Sequence, residues 1–266
     1  MTAKDPNKYE DTSRTLETRI GRLEYIGGYP TDETVQKAYD QLNVQRATQV
    51  YLEFMPLMSQ QAIFRSHEHE SGMRENRDIG VYDYQAKGKV NAVGLTYNTE
   101  SVYMSACFNV KDGPVVIETP PNILGVIDDG WMHYVTDLGN AGPDKGAGGK
   151  FLLVYEGYEG DIADGYYVFK TPTYKNWVMA RAFVGDSGEG EDAQRWYQEK
   201  FRIYPLATGP QADAKCVAFS HQHLRTTHYR DFRYFEELAD VVQYEPSEAF
   251  TSYELGLLKS LGIEKG

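Results

Sequence analysis

The sequence predicts an α+β fold, with an antiparallel β-sandwich core at about residues 82–184 and helices at the N-terminal and C-terminal ends. In the middle part, short apolar or alternating runs recur about every ten residues, and turn-forming residues separate them. Periodic segments of helix length are missing between these runs, which disfavours parallel βαβ units. Apolar residues at near-helical spacing occur instead before and after this region.

The N-terminal part is predicted as a polar arm over residues 1–29 and a helical lead-in over residues 30–80. Thr31 is a candidate N-cap, and the two acidic residues after it lie where the helix dipole favours negative charge. Pro56 is expected to kink or end this helix, and a second helical piece follows it. The charged run at residues 65–77 predicts an exposed loop.

Seven strands are predicted within the sandwich, which is expected to occupy residues 81–186. They cover residues 101–110, 114–118, 124–127, 131–135, 151–155, 166–169 and 177–183. A helical C-terminal segment is predicted over residues 187–266, and it contains one short strand. Its helices are expected at about residues 192–201, 230–242 and 248–261, and its strand at 216–219.

The charge balance excludes two classes of partner. The formal net charge is −12, whereas nucleic-acid binding requires clustered Lys and Arg. The same negative charge disfavours an anionic membrane surface. We therefore expect no nucleic-acid partner, and the sequence leaves a homo-oligomer open.

The sequence bears on location only in part. No segment approaches the apolar length that a membrane span needs. The first ten residues lack the apolar stretch of a signal peptide. The chain as given is therefore expected to be soluble and cytoplasmic, and a periplasmic location would require a leader that has been removed.

Two His-x-His pairs suggest a metal site. On a strand, residues two apart share a face, so each pair would present two imidazoles to one ion. The four candidate ligands are His67, His69, His221 and His223. A divalent metal is one possibility, but two solvated loops are the favoured interpretation, and no cofactor is predicted.

The remaining motifs do not identify a reaction. The Gly-rich loop at residues 142–150 lacks the P-loop spacing and enters a strand rather than a helix, so a wide edge loop is favoured over an anion site. The signatures of common hydrolases, zinc proteases and dehydrogenases are missing. Cys107 and Cys216 are too few and too far apart for a disulfide framework.

An ordered series of motifs resembles a bacterial family known as domain of unknown function twelve-fifty-four. The matches begin at Tyr39-Asp40, and the resemblance covers about residues 29–266. The central matches are Thr96-Tyr97-Asn98-Thr99, Gly113-Pro114-Val115-Val116, Asp128-Asp129-Gly130-Trp131, Asp137-Leu138-Gly139 and Gly142-Pro143-Asp144-Lys145-Gly146. Tyr97 stands where the family has Pro, and residues 154–157 depart from its Pro-Pro-Gly.

The resemblance implies a β-sandwich domain with helices. Family members usually continue into a second, jelly-roll-like domain of unknown function, which is missing here. That domain, in cis or as a separate chain, is therefore an expected partner. The family implies no catalytic residues, so none is assigned.

The first functional hypothesis is a binding module for a polar small molecule or a glycan. Aromatic rings would stack on the ligand, and charged groups would orient it. The candidate residues of this rim are Asn98, Asp128, Trp131, Asp137, Tyr174 and Arg181. The alternative is a scaffold in which Trp131 and Trp177 are core residues and Arg181 pairs with an internal carboxylate.

Two further hypotheses remain from the sequence. The chain could be a metal-assisted enzyme that uses the His-x-His pairs, or an interaction domain for the jelly-roll partner. Whether it is an enzyme at all stays open at this point.

Overall fold

The structure is a computed structural model that describes residues 12–82, 91–92, 101–162, 164–183, 191–219, 223–224 and 226–266. Within these residues the chain has a mixed α/β fold with five α-helices and four β-sheets. None of the described helices is long and apolar enough to cross a membrane.

The N-terminal region begins with three exposed strands that the sequence did not predict. β1 (Arg14–Thr18), β2 (Gly21–Ile26) and β3 (Tyr29–Pro30) form a small antiparallel sheet. They lie where a polar arm was expected. Nearly every side chain in them is solvent-exposed, so the apolar alternation that marks a half-buried strand is absent.

The two helices that follow agree with the expectation. α1 (Asp32–Glu53) begins after Thr31, whose hydroxyl accepts a hydrogen bond from the Thr34 N–H at 3.3 Å. α2 (Met55–Arg65) has Pro56 in its first turn, where a missing N–H costs nothing.

The largest sheet has six strands in the order β14-β4-β6-β12-β8-β9. The strands are β4 (Ile79–Val81), β6 (Ser101–Asn109), β8 (Ile123–Asp128), β9 (Tyr134–Gly139), β12 (Lys175–Phe183) and β14 (Cys216–Ala218). All neighbours are antiparallel except β14 and β4. β9 begins after a turn that contains Trp131, so it lies later in the chain than predicted.

A second sheet has four strands in the order β11-β10-β7-β13. They are β7 (Val115–Thr119), β10 (Gly149–Tyr155), β11 (Tyr167–Thr171) and β13 (Arg202–Pro205). The short strands β5 (Asn91–Ala92) and β15 (His223–Leu224) form a separate pair.

The expectation of an antiparallel sandwich is wrong for β10 and β11, which both lie in the predicted core, and two further parallel pairs each include a strand outside it. β10 pairs with β11 in parallel, as β4 does with β14 and β5 with β15. Between β10 and β11 the chain returns to the start of the sheet through residues 156–166, and the described residues of this link, 156–162 and 164–166, contain no helix. A parallel pair normally requires about a dozen connecting residues or more, and this link is close to that length.

The main core contains buried residues from both of the larger sheets. It contains Val178 and Ala180 from β12 together with Phe151 and Leu153 from β10. Along β12, these even-numbered residues alternate with half-buried odd-numbered ones. The odd-numbered side chains therefore lie on the opposite face of the six-stranded sheet.

Helices form a second core beside the sheets. α3 (Glu191–Lys200) precedes β13, whereas α4 (Arg233–Tyr244) and α5 (Ser252–Lys259) end the chain. α4 and α5 pack with α1 and α2 around a buried cluster that includes Phe54, Leu57 and Trp131. A helical C-terminal region was expected, although residues 247–249 form a separate 3-10 turn.

The segment at residues 65–77 is not the exposed loop that its charges predicted. Residues Ser66–Glu70 form a π-helical turn that continues α2, and His67 in this turn is 3% exposed. Met73 is also buried. Burial of the polar His67 side chain is tolerated because both ring nitrogens have partners, namely Ser105 in the distant strand β6 and the Ile63 carbonyl in α2.

Candidate functional site

A cleft of about 680 Å³ lies on the outer face of the six-stranded sheet. Residues from β6, β8, β9 and β12 form its floor, and residues from α2 and the π-helical turn form a wall. Its volume is within the range of small-molecule sites. Most of the side chains that line it are apolar or aromatic.

The strand register brings two of the predicted rim residues to this cleft. Arg181 of β12 lies opposite Tyr103 of β6 and Leu124 of β8. Two residues earlier on β12, Met179 lies opposite Val126 of β8. Val126 in turn lies opposite Asp137 of β9. Arg181 and Asp137 therefore face the same space from different strands.

Arg181 is half-buried and has no partner within the part of the chain that the structure describes. None of those residues forms a hydrogen bond or ion pair with its guanidinium group. The internal carboxylate partner that the scaffold interpretation requires is therefore not found there. A half-buried arginine whose guanidinium group has no described protein partner is suited to bind an anion such as a carboxylate or phosphate.

A hydrogen-bonded group of three side chains forms one wall of the cleft. His67 Nε2 lies 2.8 Å from Ser105 Oγ, and Trp177 Nε1 donates to the same oxygen at 2.8 Å. His67 Nδ1 lies 2.8 Å from the Ile63 carbonyl oxygen. Because a carbonyl only accepts, Nδ1 carries the proton and Nε2 accepts from Ser105.

The Ser105–His67 pair resembles a nucleophile and its base, but its chemistry favours binding. Burial lowers the pKa of His67 to about 4. An imidazole with so low a pKa takes up a proton poorly near neutral pH, which weakens it as a general base. The group orienting His67 is the Ile63 carbonyl, which lacks the charge with which a carboxylate stabilises an imidazolium.

The side of the cleft opposite Ser105 is acidic. Asp137 lines it, and Tyr134 Oη lies 3.3 Å from its carboxylate. Asp128 of β8 is half-buried and lies opposite Trp177 of β12. Burial, followed by repulsion from the Asp129 and Asp137 carboxylates, raises the pKa of Asp128 to about 6.

The other predicted rim residues lie elsewhere. Trp131 is buried among the helices, where its indole N–H donates to the Ala249 carbonyl at 2.9 Å. Tyr174 precedes the opposite end of β12, and its ring lies 5.1 Å from that of Tyr155. Asn98 is outside the described residues. The structure therefore brings together Asp137 and Arg181, with Asp128 beside them.

The histidine pairs do not form a metal centre in the described part of the chain. Both ring nitrogens of His67 are engaged, and His69 is exposed on the same turn. β15, which contains His223, lies beside this turn. The His223 side chain and the whole of His221 are outside the description. Among the side chains that are described, no three His, Cys, Asp or Glu residues form a group that could hold a metal ion.

A carboxylate within the Gly-rich loop binds the N–H groups that an external anion would need. Asp144 is buried in the loop, and its carboxylate accepts hydrogen bonds from the Gly139 and Gly148 N–H groups at 2.8 and 3.0 Å. These N–H groups are therefore not free to hold a phosphate.

Sequence reasoning missed Ser105 and the role of Trp177. Ser105 is a polar residue within an almost fully apolar strand, which is a signal for a buried polar contact. Its partners come from two distant segments, so no local motif could identify the group.

Residues 82–205 match the model of a family described as "Protein of unknown function (DUF1254)". The crystal structure of a protein from Vibrio parahaemolyticus is similar to this chain, with a TM-score of 0.57 and 16% identity over 84% of this chain and 52% of that one. A crystal structure from Burkholderia cenocepacia, of an uncharacterised protein, gives a TM-score of 0.33 and 11% identity over 68% of this chain and 52% of that one. This chain thus spans about half the length of either protein. Among curated proteins, none matches it significantly.

Proposed function

Because residues 82–205 place this chain in the DUF1254 family of proteins of unknown function, we propose a function from the chemistry of the cleft. The chain is a binding module for a small organic anion. Its two larger sheets form an open sandwich around the shared core, and the ligand occupies the outer face of the six-stranded sheet. Arg181 binds the anionic group of the ligand.

The unpaired guanidinium of Arg181 is the observation that carries this proposal. Arg181 is half-buried, and no described residue forms a hydrogen bond or ion pair with its guanidinium group. A carboxylate or phosphate would supply two parallel hydrogen bonds to the guanidinium fork. Asp137 on the far side of the cleft repels the same anion, so it orients the ligand with its charge toward Arg181.

The apolar lining favours an organic anion over a neutral glycan. Val126, Met179 and Leu124 lie between the polar groups on the floor of the cleft. A sugar there would lose hydration at several hydroxyls without gaining partners, which costs free energy for each. An aromatic or aliphatic body would instead bury its surface against these side chains and the Trp177 indole.

We expect carboxylates to bind and their neutral amides to bind much more weakly. The test is isothermal titration of benzoate and octanoate beside benzamide and octanamide. The substitution Arg181→Met should weaken carboxylate binding about tenfold or more, because it removes a charge-assisted hydrogen bond.

The matched control is Arg19→Met, which removes an exposed arginine in the turn between β1 and β2. It should leave carboxylate binding unchanged. Equal binding of acids and amides, or equal affinities of the Arg181→Met and wild-type proteins, would refute the proposal.

A second domain as partner remains a separate proposal. The Vibrio parahaemolyticus protein that shares this fold is about twice as long as the matched part. An interaction with such a domain, in cis or in trans, would appear as a shifted elution volume when the two are mixed in size-exclusion chromatography. An unchanged elution volume would count against an interaction in trans.

A further inference from the structure

We infer that the ligand carries, besides its anionic group, a hydroxyl or amine that donates a hydrogen bond to Ser105. This inference rests on the proposed function, since it describes a second contact in the same cleft. It assigns the ligand to the class of small hydroxy or amino acids with an apolar body.

The hydrogen-bond inventory of Ser105 leads to this inference. Its single proton goes to His67 Nε2, because Nδ1 of that imidazole already donates to a carbonyl. One lone pair of Ser105 Oγ accepts from Trp177 Nε1. A hydroxyl oxygen has two lone pairs, so one acceptor site remains, and Ser105 has no proton left to donate to a ligand.

Ser105 is 1% exposed, and the cleft is the side from which a ligand would reach its remaining lone pair. Ser105 lines the cleft and is directly opposite Met179 on β12. Arg181 is two residues farther along that strand, so it is the diagonal neighbour of Ser105, roughly 8 Å away between Cα atoms. Both side chains are on one face of the sheet, and Met179 lies between them.

A ligand that spans these two groups needs opposite polarity at its two ends. Its anionic end accepts hydrogen bonds from Arg181, and its other end donates to Ser105. An ether or a halogen at that end would place an acceptor against an acceptor, and no hydrogen bond to Ser105 would form. His67 stays neutral and fixed in one tautomer, so Nε2 continues to accept the Ser105 proton. Ser105 therefore remains an acceptor toward the ligand.

Three benzoates separate this contact from the anion contact. The probes are 4-hydroxybenzoate, 4-methoxybenzoate and benzoate, each titrated calorimetrically into the wild-type protein. We expect 4-hydroxybenzoate to bind about five- to tenfold more tightly than the other two, which corresponds to one net hydrogen bond. The wild-type comparison needs no variant, so a folding failure cannot obscure it.

The substitution Ser105→Ala should abolish the preference for the hydroxyl while the dependence on Arg181 remains. Ser105→Thr keeps the oxygen and should retain the preference. Ser260→Ala, at the end of α5 and outside the cleft, is the matched serine control and should behave like the wild type.

The outcomes are distinguishable. Equal affinities of the three benzoates, all weakened by Arg181→Met, would overturn this inference and leave the proposed function standing. A hydroxyl preference that survives in Ser105→Ala would also overturn it. If none of the benzoates binds, the proposed function itself fails.

Discussion

Replacing Asp78 with alanine is expected to lower the free energy of unfolding by about 2–3 kcal/mol, because the buried carboxylate accepts several hydrogen bonds. The Asp78 carboxylate is fully buried and accepts hydrogen bonds from the Arg74 guanidinium at 2.8 and 2.9 Å. It also accepts from the backbone N–H groups of Arg74 and Lys215. Asp78→Ala removes the acceptor of both backbone N–H groups, whereas the Arg74 guanidinium keeps its hydrogen bonds to Asp213, and urea unfolding measures the loss.

Asp213→Ala provides the matched control for this prediction. Asp213 pairs with the same Arg74 side chain, but it is on the surface. A surface ion pair contributes at most about 1 kcal/mol, so this variant should remain close to the wild type in stability. Similar losses in the two variants would show that the buried carboxylate has no special role in joining residues 74–78 to the start of β14.

The destabilisation caused by His67→Gln is expected to shrink by about 2 kcal/mol between pH 7.5 and pH 5. Burial lowers the pKa of His67 from 6.5 in a model peptide to about 4 in the folded chain. As the pH falls below 6.5, the unfolded chain takes up a proton that the folded chain does not. The wild type therefore loses stability over this range, whereas a glutamine variant lacks this contribution.

The difference between variant and wild type is the quantity to measure, because Glu245 acts in the opposite sense. Burial raises the pKa of Glu245 to about 7, so this group favours the folded state as the pH falls. It is present in both proteins and cancels in the difference. Urea unfolding at the two pH values provides the data.

His69→Gln is the control for the pH prediction. His69 is exposed on the same π-helical turn, so its replacement removes no buried imidazole. Its unfolding free energy should follow the wild-type curve with pH. If the His67→Gln and wild-type curves run parallel, His67 is not held neutral by burial, and the fixed polarity assigned to Ser105 would lose its basis.

The strands of the middle region were largely predictable because their signals are local. β6, β8, β10 and β12 have apolar or alternating residues bounded by turn-forming residues. The parallel pairing of β10 with β11 was not predictable, because pairing direction depends on where the connecting chain runs. β1–β3 were missed because exposed strands bury no face.

The candidate site was predictable only where strand alternation determines it. Arg181 lies on a strand that was predicted, whereas Asp137 lies beyond the predicted strand 131–135 and reaches the same face through the register of β9. Trp131 looked like a ligand-stacking residue, but the carbonyl that its indole contacts belongs to Ala249, 118 residues later in the chain. Ser105 was missed because the imidazole that accepts its hydrogen bond belongs to a distant turn.

A crystal structure of the protein soaked with 4-hydroxybenzoate tests the central claim most directly. We predict a carboxylate oxygen within hydrogen-bond distance of the Arg181 guanidinium and the phenol hydroxyl directed at Ser105 Oγ. A ligand whose carboxylate lies elsewhere, or an Arg181 paired with a carboxylate of the protein itself, would contradict it.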